Sequence, residues 1–281
     1  MNVAPAALDG EVGAALSAEG IRARSVVLIS PLAATKGRRL AYRVDTDGGR
    51  TVKARHFESD DEARRLCELA ATLGPAFATV LARHGSVVLE EWIEGEPLAG
   101  GVAEARVEEA GALLGALHAA SLGPGVPERC VSAPWVQAAE SDLGILAGAD
   151  WLAGEEANSL LAEIRRLDPG SGRSALIHRD FCVENLLVDA QGRLRVIDNE
   201  WLMIGPAEWD LGRTRHRWPM SEAAWERFRG AYSAAAGAPE APRFWALVAT
   251  AFGARACHQV DPPRLDPALA LLRGFILHED S

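Results

Sequence analysis

The stretch 174–200, SALIHRDFCVENLLVDAQGRLRVIDNE, constrains the fold of this chain more than any other. Two short apolar runs, NLLV and RLRVI, flank Asp189-Ala190-Gln191-Gly192, which has the composition of a tight turn, and together they predict a β-hairpin. A third run, ALI, reads as a strand leading into His178-Arg179-Asp180. Strands suited to a core thus carry His178, Asp180, Asn185 and Asp198 at their ends. The hairpin turns the chain back, so Asp198 is expected at the same end as Asn185 and Asp180. Two carboxylates and an amide oxygen suit Mg²⁺, which takes one or two carboxylates and fills its shell with water and phosphate oxygens.

Composition narrows what such a group serves. At 281 residues the chain is long for one compact domain and allows one large or two modest ones. A net charge of −10 argues against a nucleic-acid partner, which demands a basic surface, and suits a cationic small molecule. No apolar run approaches the roughly 18–20 residues of a membrane span, and MNVAPAALDG lacks the basic and apolar runs of a signal peptide. The expectation is a cytoplasmic protein with no membrane partner. Cys67, Cys130, Cys182 and Cys257 lie far apart without a C-x-x-C pair, which fits reduced thiols. Of 29 basic side chains only Lys36 and Lys53 are lysines. Lysine is a compact point charge where arginine is a planar fork, so Lys53 is a candidate for a task a guanidinium performs poorly.

The periodicity changes along the chain. Residues 1–20 read as a short amphipathic helix, with Leu8, Val12 and Leu16 at four-residue spacing. SVVLIS, RLAYRV and TVKARHF read as strands, the last two joined at Asp47-Gly48-Gly49 with Lys53 in the third strand. A helix follows from Ser59 or Asp60, with Gly74 as its stop, and then two more strands, FATVLARHG and SVVLEEWIEG. Beyond Pro97 helical spacing dominates, as in Val107, Ala110, Leu114 and Leu117, and six of the eight tryptophans lie past residue 150. The boundary falls near Glu94-Gly95, between a small β-rich lobe and a large, mostly helical one. Clefts between such lobes are common sites for small molecules.

The H-x-D-x-x-x-x-N pattern of His178, Asp180 and Asn185, followed after a hairpin by Asp198, resembles the catalytic core of the protein-kinase-like fold. Within it, IDNEWLMIGPAEWDLGR, with Asp198, Glu200, Gly205, Asp210 and Leu211, is similar to the aminoglycoside phosphotransferase and choline kinase family. The resemblance is specific over 174–212, moderate over 50–120, and weak over 121–173 and after 215. It implies an α+β bilobal fold, with a nucleotide-binding lobe at 1–94 and a catalytic, acceptor-binding lobe at 95–281. It implies an ATP- or GTP-dependent, Mg²⁺-dependent enzyme that phosphorylates a hydroxyl of a small molecule. Asp180 would accept the hydroxyl proton, and Asn185 and Asp198 would hold Mg²⁺. Lys53 would contact the α- and β-phosphates and Glu62 would orient it through an ion pair. The Glu91 carbonyl and Ile93 amide would meet the base. Ser30 would reach phosphate where a glycine-rich loop is missing.

The departures are specific. Arg179 stands where antibiotic kinases commonly carry Gly, and Asn199 where an aromatic is frequent. His178 and Asp210 read as buried braces of the loop, His118 as a satisfied core histidine, and Cys182 as loop filler. The acids Glu200, Asp261 and Asp266, with the HEDS terminus, point to a cationic acceptor, either an aminoglycoside or a basic peptide antibiotic of the capreomycin and viomycin type. The alternatives are a metabolic kinase acting on choline, a sugar, homoserine or a macrolide, and a pseudokinase. Intact Lys53, Asp180, Asn185 and Asp198 weigh against the pseudokinase.

Overall fold

The computed structural model describes residues 9–29, 40–98 and 100–277. In chain order the elements are α1 (Gly10–Ala18), β1 (Ala23–Leu28), β2 (Leu40–Thr46), β3 (Thr51–His56), α2 (Asp60–Ala70), β4 (Val80–His84), β5 (Val87–Glu91) and β6 (Gly95–Pro97). Then come α3 (Gly100–Ala105), α4 (Val107–His118), β7 (Arg129–Val131), α5 (Ala133–Gly148), α6 (Gly154–Leu167) and β8 (Ser171–Ile177). A 3₁₀ turn (Val183–Asn185) leads to β9 (Leu186–Asp189) and β10 (Leu194–Val196), and a second (Asn199–Trp201) to β11 (Met203–Pro206). The chain ends in α7 (Ala207–Arg217), α8 (Glu222–Ala236), α9 (Pro242–Val260) and α10 (Leu265–Leu277).

These elements form two compact units. The first runs to Pro97 and also takes in Leu187–Leu202, and the second comprises Leu98–Leu186 and the chain from Met203 onward. The expected division at 94/95 left the β9–β10 hairpin in the second part. Pairing of β6 with β9, Glu96 opposite Val188, joins the hairpin to the first unit. A single cut in the sequence cannot express such an excursion.

In the first unit, among the described residues, five antiparallel strands lie in the order β1-β2-β3-β5-β4. Successive residues of a strand face opposite sides of the sheet. One side presents Tyr42, Val44, Val52, Ala54, Val87 and Leu89, which bury Val12, Ala15 and Leu16 of α1. Lys53 and Arg55 alternate with those apolar positions, so they share the other side, where Lys53 stands opposite Glu90 on β5. Asp9 caps α1 by accepting from the Glu11 and Val12 amides. Ser59 caps α2, which ends at Ala70 and not at the expected Gly74; a tight turn follows, with the Thr72 and Leu73 amides bonded to Leu69 and Ala70. In the β9–β10 turn the Asp189 carboxylate accepts from the Gln191 and Arg193 amides at 3.0 and 2.9 Å, and Gly192 takes φ +76.

In the second unit α4 packs on α8 and buries Val107, Ala110, Leu114 and Leu117, as their spacing predicts. Trp209, Phe244, Trp245, Leu160 and Ile164 anchor the larger core. A three-stranded sheet in the order β11-β8-β7 lies beside it. Strands β6, β7 and β11 were not legible in the sequence. Each has three or four residues, too few for an alternating pattern, and each exists because a partner strand satisfies its backbone.

Candidate functional site

Both units carry predicted site residues. In the first, the hairpin delivers Asp198 to a left-handed corner at φ +65. Lys53 reaches it from β3, with Nζ 2.9 Å from Asp198 Oδ1. Arg55, two residues on and on the same face, places Nη2 at 2.7 Å from the same oxygen. Burial alone would raise the Asp198 pKa, but the charges of Lys53 and Arg55 outweigh it and hold the carboxyl well below its usual value. Asp198 is therefore ionised, and its side chain is 36% exposed. Arg55 is only 2% exposed and also pairs with Glu200 and, at 3.6 Å, with Glu90. Three carboxylates around one guanidinium meet the requirement that a buried charge be paired.

Lys53 and Asp198 also line a cavity of about 230 Å³ with Glu91, Trp92, Ile93, Ala78, Leu187 and Ile197. Its walls are apolar where Ala78, Ile93 and Leu187 cluster against Ile197. Glu91 is fixed from two sides, its amide donating to Thr79 O at 2.8 Å and its carboxylate accepting from Arg195 at 3.2 Å. Trp92 lies under the Arg43 guanidinium, 4.9 Å from the ring centre.

In the second unit the loop after β8 is held from below. Asp210 is fully buried and accepts from the His178 amide at 2.6 Å and the Arg179 amide at 2.7 Å, while His118 Nε2 sits 3.1 Å from it. Tyr232 bonds the other nitrogen of His118 at 3.0 Å. This bracing holds Arg179 at φ +70, a strained conformation for a residue with a side chain, which glycine would adopt freely. His178 is 0% exposed and its Nδ1 faces the Asp180 amide at 3.4 Å, an arrangement that braces the loop. Burial pushes the Cys182 thiol up to about 12, so it is no nucleophile at neutral pH.

Asp180 itself is half-buried. Asn185 Nδ2 donates to its carbonyl at 2.9 Å and its Oδ2 at 3.2 Å. That leaves Asn185 Oδ1, a hard oxygen suited to a cation, outside this pair. Arg213 Nη2 donates to Asp180 Oδ1 at 3.4 Å, and Arg217 Nε lies 3.7 Å from it. Thr214 Oγ1 bonds the Phe181 carbonyl at 2.8 Å. Asp210, Arg213, Thr214 and Arg217 are spaced 3, 1 and 3 residues apart on α7, one helical face turned to the loop. The sequence reading took Asp210 from this face and missed both arginines, although the spacing in DLGRTRHR was there to find them.

Several predicted partnerships differ from what forms. Lys53 pairs with Asp198, whereas the sequence reading paired it with Glu62; Glu62 stands in the first turn of α2 with its amide on Ser59 Oγ at 3.3 Å. Glu200, expected at an acceptor, belongs to the first unit and holds Arg55. Asp261 pairs with Arg264 at 3.2 Å, and Asp266 is exposed at the start of α10. Ser30 and the HEDS terminus lie outside the described residues. Among the described residues no cluster of three or more His, Cys, Asp or Glu could hold a metal, and no helix is long and apolar enough to cross a membrane. Mg²⁺ beside nucleotide phosphates needs no such cluster.

Known structures share this architecture. The choline kinase LicA from Streptococcus pneumoniae superposes with a TM-score of 0.70 at 15% identity, over 94% of this chain and 98% of that one. The macrolide 2'-phosphotransferase MphH from Brachybacterium faecium gives 0.59 at 17%, over 94% and 98%. A fructosamine-3-kinase homologue from Thermobifida fusca gives 0.64 at 18%, over 96% and 99%. At such identities the likeness shows the fold, which is protein-kinase-like, with an antiparallel-sheet N-lobe and a helical C-lobe. Comparison with curated protein sequences returns no match. The family model described as the phosphotransferase enzyme family matches residues 29–248, so the chain belongs to that family and is a phosphotransferase acting on a small molecule.

Proposed function

We propose that the chain moves the terminal phosphate of a nucleoside triphosphate, ATP or GTP, onto a hydroxyl of a small molecule. The observation that carries this reading is the ionised Asp198 beside the Lys53 ammonium at 2.9 Å. A phosphate-binding cation next to a hard anionic oxygen is what a magnesium nucleotide requires. The adjoining cavity supports a base resting against Ala78, Leu187 and Ile197, with the Glu91 carbonyl and Ile93 amide as its polar partners. Asp198 of the first unit and Asn185 Oδ1 of the second would each offer Mg²⁺ a hard oxygen. When bound, the ion neutralises charge on the phosphates. Asp180 orients the acceptor hydroxyl and receives its proton. The hydroxyl oxygen bonds to the terminal phosphorus as the bridging P–O bond breaks, and the diphosphate leaves with the electron pair.

The cationic antibiotic expected from overall charge has less support. Of the acids that suggested it, Glu200 is engaged by Arg55 and Asp261 by Arg264. Phosphotransfer is tested by ADP release with a panel of alcohols, or with water as acceptor, in EDTA and after restoring Mg²⁺. Activity should vanish and return, and Asp198→Ala should be folded but inactive. Full turnover in chelator would overturn the reading.

A further inference from the structure

A cavity of the second unit opens beside the catalytic loop. It measures about 760 Å³ and is lined by Val183 and Glu184 of that loop and by Arg215, Arg217 and Arg264. Apolar surface comes from Met220, Ala268 and Leu271. Three arginines and one carboxylate thus line one space, in a protein whose net charge is −10. Glu184 is occupied, accepting from Arg264 Nη2 at 2.6 Å. Asp261 and Glu222, the other partners of Arg264 and Arg215, lie outside the lining.

Arg217 is the informative member. Its Nε is 3.7 Å from Asp180 Oδ1 and its Nη2 3.9 Å from Glu184 Oε2, both beyond hydrogen-bonding reach. Its only hydrogen bond among the described residues is to Cys182 Sγ at 3.8 Å. Arg213 lies outside the lining, 8% exposed and over the Phe252 ring, with Nε and Nη1 lacking hydrogen-bond partners among the described residues. Guanidinium donors normally bond oxygen, and a fork held without one is preorganised for a planar or tetrahedral anion. The neighbouring wall agrees. Burial, then the charges of Arg213, Arg217 and Arg264, lower His216 to about 3, so it adds no charge at neutral pH while registering a positive field.

We propose that this cavity is the acceptor site and that it selects an alcohol bearing an anionic group, a carboxylate or phosphate monoester, on a partly apolar body. Arg217 takes the anion, with Arg264 turning to it from Glu184 and Asp261 on binding, and Met220, Ala268 and Leu271 take the body. The acceptor hydroxyl then projects toward Asp180, which Arg217 adjoins. A polycation in the same cavity would meet Arg217, whose guanidinium no carboxylate hydrogen-bonds, a penalty against that class. The inference rests on the phosphotransferase reading and names the substrate class of that same site.

The test offers charge-matched acceptors on shared scaffolds: glucuronate, glucose and glucosamine; phenyllactate, phenylpropanediol and phenylalaninol; and glycerol phosphate against glycerol. Transfer is read as a gain of one phosphate by mass spectrometry. Acid members should exceed neutral ones at least about tenfold in kcat/KM, and amines should fall at or below neutral. The phenyl and glycerol arms separate carboxylate from phosphate recognition. In Arg217→Gln and Arg264→Gln the acid-to-neutral ratio should collapse toward one, whereas a merely structural loss would lower both rates and keep their ratio. A preference for amines, or no acid preference on any scaffold, overturns the proposal. Mg²⁺-dependent ATP hydrolysis without acceptor, lost in Asp198→Ala, reports separately on phosphotransfer, so the acceptor class can fail while that reading stands.

Discussion

Lys53 and Arg55 show how far two cations on one strand face can differ in task. Arg55 is enclosed by Asp198, Glu200 and Glu90, and its wide fork satisfies several oxygens at once. Lys53 makes one short contact, to Asp198, and borders the cavity, so its ammonium can turn to a phosphate. Lys53→Arg keeps the charge but puts a second fork into a space 13% exposed. Turnover, or KM for the nucleotide, should worsen about tenfold or more, measured by steady-state kinetics. Wild-type constants would mean that a point charge is not required there. For Asp180, replacement by Asn keeps the hydrogen bonds with Asn185 but removes the carboxylate proposed to take the proton. Phosphorylation should fall about 10²- to 10⁴-fold while nucleotide binding by calorimetry stays near wild type.

Helices position the second unit through close contact as much as through charge. Gly111 and Gly115, four residues apart, share one face of α4 where it meets α8. A methyl group on Gly111 would collide with the Phe228 carbonyl, and one on Gly115 would lie 2.7 Å from Ala235 Cβ. His118, on the same helix, then reaches Asp210 and Tyr232. Gly111→Ala should therefore destabilise the protein by roughly 1–3 kcal/mol, read from urea midpoints, even though alanine favours helix. An unchanged or higher midpoint would show that α4 and α8 can part without cost. The face of α7 works differently. Asp210 and Thr214 fix the loop backbone while Arg213 and Arg217 set the electrostatics around Asp180.

Acid should weaken the protein in two stages. The unfolded chain protonates His216 near its ordinary value of about 6.5, whereas the folded protein resists until about 3. Between those values the unfolded state binds more protons, so stability is full above about pH 6.5 and declines as pH falls. Asp198, depressed by Lys53 and Arg55, adds stability that is present above the unfolded carboxylate value of about 3.9 and is lost at lower pH. Urea midpoints should already drop between pH 7 and pH 5, and His216→Gln should flatten that first stage. An equal decline in the variant would place the titration elsewhere.

Much of the candidate site was legible because its residues are local in the chain. His178, Asp180 and Asn185 fall within eight residues, the β9–β10 turn is written in Asp189 to Gly192, and strand alternation alone puts Lys53 opposite the apolar face packed on α1. Charge partners were not legible. Arg55 finds Asp198 across 143 positions, and Arg213 finds Asp180 across 33. Which carboxylate a guanidinium meets depends on strand register and on the rotation of a helix about its axis, neither of which leaves a mark on composition. Counting acids along the chain therefore suggested a cationic acceptor, while folding engaged Glu200 and Asp261 with arginines and lined the cavity beside the loop after β8 with Arg215, Arg217 and Arg264. Net charge belongs to the whole surface, but recognition depends on the few groups that folding leaves facing one space.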